Sequence, residues 1–117
     1  MTTDAVALCR NRPGPGEMIA AMAAAGPDLR VDTTGPAPLV RLYHPDGRLL
    51  LTVDGARLVQ VPGEVRRLLG IDDDAVPHPV WWVESRAPDA YPEAGAVAQR
   101  FSAALVAAVG GVTWCSR

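Results

Sequence analysis

Apolar positions fall into short runs separated by eleven glycines and eleven prolines, and the spacing within each run predicts its conformation. Residues 5–10 are apolar and predict a first strand. Residues 11–16, Asn-Arg-Pro-Gly-Pro-Gly, form a stiff loop, because proline fixes φ where glycine relaxes it. Residues 17–25 predict a helix with Met18, Ile19, Met22 and Ala25 on one side, stopped by Gly26-Pro27. Residues 29–32 are a short strand. After a loop, residues 39–44 alternate, with Leu39, Arg41 and Tyr43 on one face and Val40, Leu42 and His44 on the other. A Pro-Asp-Gly-Arg turn at 45–48 leads into a return strand at 49–54, which makes a hairpin. Asp54-Gly55 reads as a second hairpin turn, so residues 57–61 are expected to pair back on 49–54.

The second half follows the same logic. Residues 64–69 predict a short helix with Val65, Leu68 and Leu69 inward and Arg66 and Arg67 outward, ended by Gly70. Residues 71–79 are irregular and acidic, and residues 80–86 form a strand carrying adjacent tryptophans. Residues 93–109 predict the longest helix. Its stripe of Ala94, Val97, Ala98, Phe101, Ala104, Leu105 and Ala108 repeats at intervals that keep one side apolar. Gly110-Gly111 ends it before a last strand at 112–115. The order β-α-β, hairpin or meander, short helix, β-α-β predicts one α+β domain over residues 1–117, of ferredoxin-like arrangement, with helices mainly on one face of the sheet.

Composition narrows the class. Eleven basic against thirteen acidic residues give a net charge of −2, and every basic residue is arginine. That pattern, with many Ala, Gly, Pro and Val, is the one expected from the codon bias of a GC-rich bacterial genome, and the arginines do not cluster as selection for guanidinium contacts would require. The balance argues against a general nucleic-acid binder, which carries a basic footprint. A hydrophobic fraction of 49% excludes wholesale disorder. No apolar run reaches the length of a membrane span, and Met1-Thr2-Thr3-Asp4 lacks the basic-then-apolar order expected of a signal peptide. A cytoplasmic location without membrane contact is therefore expected.

The tryptophan pair is the most informative local feature. Strand alternation sends Trp81 and Trp82 to opposite faces. Trp82 shares its side with Glu84 and Arg86, which predicts a less buried side, and Arg41 and Tyr43 mark a similar face on the hairpin. A joint surface of Arg41, Tyr43, Trp82 and Arg86 would suit contact with a protein partner or a second copy. Cover by another element of the domain is the competing reading. A second candidate is the loop with Arg10, Arg12, Gly14 and Gly16 before a helix N-terminus, which would suit a small ligand or anion. It matches neither nucleotide-binding glycine motif, so loop-and-cap is its plainer reading.

Other residues carry weaker signals. Asp72, Asp73, Asp74 and His78 have no recognised metal-ligand spacing. Cys9 and Cys115 fall in the first and last strands, which would be neighbours in a ferredoxin-like order, but neither has a local histidine signature. No catalytic set, metal or cofactor is assigned. The expectation is a non-catalytic protein-binding or accessory module of chaperone, immunity or secretion-accessory type, with a ligand- or anion-binding domain as the alternative.

Overall fold

A computed structural model of the chain describes residues 2–26, 28–33, 39–61, 63–88 and 91–116. The elements are β1 (Thr2–Cys9), α1 (Pro15–Ala25), β2 (Arg30–Asp32), β3 (Leu39–Tyr43), β4 (Leu49–Asp54), β5 (Arg57–Val59), α2 (Glu64–Leu69), β6 (Val80–Pro88), α3 (Pro92–Val109) and β7 (Gly111–Cys115), with a 3₁₀ turn at Asp73–Ala75 before β6. The protein is a small single-domain α+β structure. Among the described residues the strands form one sheet of order β2-β3-β4-β6-β1-β7, and β5 also pairs with β6. Every pairing is antiparallel. Among the described residues no helix is long and apolar enough to cross a membrane.

β1 explains the layering. Its sequence from Ala5 to Cys9 is an unbroken apolar run, and all five residues are buried. A strand of that kind has protein on both faces. Ala5, Ala7 and Cys9 point toward α1 and α3, which pack side by side over Leu42, Leu51, Val53, Val83 and Ala87. Val6 and Leu8 point the other way, into a second cluster with Val65, Val76, Val80 and Trp82, against which Leu69, Ile71, Val112 and Trp114 pack. The segment from β5 through α2 to the 3₁₀ turn thus folds back over the second face. Helices α1 and α3 share one side as expected, and α2 covers part of the other.

Local expectations hold where periodicity was strong and fail where a single position was ambiguous. In α1, Met22 and Ala25 are buried, whereas Ile19 is 67% exposed and Ala21 takes its place in the core. In α2, Val65 is buried and Leu68 is 51% exposed. Asp54-Gly55 does not turn the chain back. A two-residue hairpin turn needs left-handed backbone, and Gly55 is not among the glycines with positive φ. The chain instead continues along β6. Thr52 pairs with Arg86 and Val53 with Ser85, after which Arg57 pairs with Trp82 and Val59 with Val80. One extra residue sits between the two stretches, which is a β-bulge.

Gly16 offers a direct test of α1. It lies in the first turn, its φ is not left-handed, and an added Cβ would meet nothing within 4 Å. Gly16→Ala should therefore raise unfolding stability by about 0.5–1 kcal/mol, because the unfolded chain loses more freedom than the fold does. An increased urea midpoint at unchanged slope is the expected readout.

Candidate functional site

The bulge opens a groove of about 790 Å³, lined by Arg12, Pro13, Gly14, Pro15 and Met18 on one side and by Asp54, Gly55, Ala56, Arg57 and Glu84 on the other, with Leu39 also contributing. Its loop wall is held at several points. Asn11 Nδ2 donates to the Val109 carbonyl at 2.8 Å, and the Arg10 N–H donates to the Gly110 carbonyl at 2.9 Å. Pro13 is buried. The Gly14 N–H donates to Glu17 Oε1 at 3.2 Å, which closes the start of α1.

The adjacent tryptophans organise the groove's cations. Trp81 sits on the α1–α3 side, and the Arg12 guanidinium lies 5.3 Å from its ring centroid. Trp82 sits on the other side, with the Arg57 guanidinium 5.9 Å from its ring. Such stacking orients a guanidinium while leaving its N–H edge free to donate. Among the described residues neither arginine has a carboxylate partner, and Asp54 has no cation partner. Glu84 reaches Arg86 at 3.8 Å. The groove therefore presents donor and acceptor charges on a largely apolar wall.

The proposed aromatic surface is only partly assembled. Arg41 pairs across Thr52, and Thr52 across Arg86, so the two arginines lie in one cross-strand row on one face. Tyr43 alternates onto that face from Arg41 and is half-buried. Arg86 continues the row to Asp4, with Nε 3.2 Å from Oδ1. Trp82 is the correction. It is only 4% exposed, because the cover from Val59 to Val76 reaches it and stops short of Glu84 and Arg86. Its Nε1 is buried with no hydrogen-bond partner among the described residues. The surface without this ring is a charged ladder, not an aromatic patch.

The 10–17 loop is also rearranged relative to expectation. Arg10 and Arg12 do not converge. The Arg10 side chain runs beside Gly110, while Arg12 stacks on Trp81. Gly14 lines the groove, but Glu17 already takes its N–H; Gly16 lies outside the groove. A simple anion cradle at the start of α1 is thus preoccupied by the chain's own carboxylate.

Asp74 and His78 line a separate cleft of about 270 Å³ with Arg10 and Gly111. No group of three His, Cys, Asp or Glu side chains that could hold a metal ion occurs among the described residues. Cys9 and Cys115 do lie in neighbouring strands, but Cys9 pairs with Gly111 and Cys115 with Ala5, at opposite ends of the ladder. Burial pushes the Cys9 thiol up to about 11, which suppresses the reactive thiolate. A thiol reagent at pH 8 should label one cysteine in the folded chain, Cys115, and two after denaturation. Rapid labelling of both in the folded state would contradict this packing.

Asp54, Arg57 and Glu84 were not singled out by sequence reasoning. The only available signal was the Asp-Gly-Ala interruption between two strand-forming runs, and its effect depends on which strand the second run pairs with. No family model, curated protein or solved structure matches this chain.

Proposed function

We propose that the chain is a non-catalytic binding module whose groove receives an extended segment of a partner polypeptide. The observation that carries this reading is the groove itself. It lies where β3 stops opposite Asp54, so that β5 has β6 on one side and no further strand on the other among the described residues. An open strand edge offers backbone hydrogen bonds to a peptide, and adjacent pockets read its side chains. Arg12 and Arg57 would pair with carboxylates of the segment, and Asp54 with a cation.

A ferredoxin-like core is the matching architectural reading. The order β7-β1-β6-β4, with α1 and α3 on one face, supports it; β2 and β3 would then be an addition beyond β4. A small carboxylate-bearing ligand is the second functional reading, favoured by a groove volume within the range of small-molecule sites.

Selection from a displayed library of random peptides tests the first reading. The wild-type protein should enrich a shared motif, and the isolated peptide should bind at least tenfold more weakly to Arg12→Glu/Arg57→Glu. The variant Arg66→Glu, on exposed α2 surface, should bind as wild type does. No enriched motif, or binding indifferent to the groove substitutions, would overturn it. A carboxylate compound that raises Tm in proportion to its concentration, without any peptide binding, would establish the second.

A further inference from the structure

We propose that the β7 edge of the sheet pairs antiparallel with β7 of a second copy of this chain, across a two-fold axis at Thr113. The two outer strands of the sheet differ in kind. β2 is three residues long and carries Arg30 and Asp32, a short charged edge of the sort that discourages pairing. β7 is Gly-Val-Thr-Trp-Cys, with no charge, no proline and no register break against β1. Among the described residues nothing pairs with its outer side.

The backbone pattern specifies the register. The Arg10 N–H donates to the Gly110 carbonyl and the Ser116 N–H to the Asp4 carbonyl, both at 2.9 Å. Even-numbered residues at this end of the chain therefore point their backbone groups at β1. Antiparallel ladders alternate, so Gly111, Thr113 and Cys115 point theirs outward. These three are symmetric about Thr113. A two-fold axis there sets Thr113 against Thr113 of the second copy, and Gly111 against Cys115, as hydrogen-bonded pairs. Val112 then meets Trp114 of the second copy in the closer, non-hydrogen-bonded position.

Charge and side-chain chemistry favour a second copy over an unrelated strand. A two-fold pairing confronts a strand with itself, and a strand with no charges meets no like-charge repulsion. Thr–Thr and aromatic–β-branched neighbours are among the favourable cross-strand pairs. Trp114 and Val112 lie half-buried against the Val6–Leu8–Trp82 cluster, and the pairing extends that apolar surface across the axis. This edge is separate from the groove, so the two proposals fail independently.

Sedimentation of the full chain across a range of concentrations tests the pairing. The wild type should shift from monomer to dimer as concentration rises. Thr113→Pro, which removes the central outward N–H in an edge strand that tolerates proline, should remain monomeric with an unchanged circular dichroism spectrum. In a Cys115→Ser background, Thr113→Cys should form an intermolecular disulfide on mild oxidation. The hydrogen-bonded pair spacing of about 5.5 Å lies within disulfide reach. A control Val31→Cys on β2 should not. A wild type that stays monomeric at every concentration, a dimer that survives Thr113→Pro, or a Thr113→Cys chain that does not cross-link would overturn the proposal.

Discussion

Gly111→Ala is expected to remove roughly 3–5 kcal/mol of folding stability, combining backbone strain with a steric clash. Gly111 has φ +129°, and an added Cβ would stand 1.9 Å from the Leu8 carbonyl oxygen. The obstructing atom belongs to the backbone of β1, so no side chain can rotate aside. Relief requires β7 to move away from β1, which would break the ladder that runs from Ala5–Cys115 to Cys9–Gly111. With small domains stabilised by only about 5–15 kcal/mol in total, a large share of the folded population's margin is lost. Urea unfolding of Gly111→Ala beside Gly16→Ala makes the comparison internal. The same chemical change should have opposite signs at the two glycines, and near-equal midpoints would show that the β1–β7 contact is looser than described.

Phe101→Ala should cost a comparable amount, about 3–5 kcal/mol, by a different route. Phe101 is fully buried and leads the large side chains of the core. It projects from α3 into the cluster that joins α1 to the sheet through Met22, Leu42, Leu51 and Val83. Truncation leaves a cavity that a rigid sheet on one side and two helices on the other can only partly close. Tm should fall by roughly 10–20 °C. Leu105→Ala, one helical turn further along the same stripe, should fall in the same direction. A change of less than about 1 kcal/mol at Phe101 would mean that the α3 interface is plastic.

The elements themselves were legible because their signals are local. The α3 stripe repeats over many turns, Gly70 and Gly110 stop their helices, and β4 and α2 span the residues expected from pattern alone. Errors arose where a neighbour, not a pattern, decides. Ile19 and Ala21 are both apolar, and only the position of α3 selects which is buried. Trp82 has Glu84 and Arg86 two and four residues away, which suggested an open face, but the cover ends between Trp82 and Glu84. The better clue lay in the first strand: Ala5 to Cys9 shows no alternation, and an unbroken apolar run implies cover on both faces. The groove was not legible, because Arg12, Arg57 and Glu84 meet only through the bulge at Gly55 and the choice of β6 as partner.

The placement of β1 has a consequence for how the chain is made. It precedes the other described strands in the chain, yet both its neighbours, β6 and β7, lie about 70 residues or more further along. The Ser85 hydroxyl that bonds to the Ala5 carbonyl lies 80 residues further along the chain. Contacts that distant must close a long loop before they return any stabilisation, which slows folding relative to a locally connected sheet of the same size. On the ribosome, the apolar run of β1 emerges before its partners and waits until β6 and β7 have been made. During that interval its exposed run is the segment most open to non-native association, and the time at risk is set by elongation as much as by the folding rate.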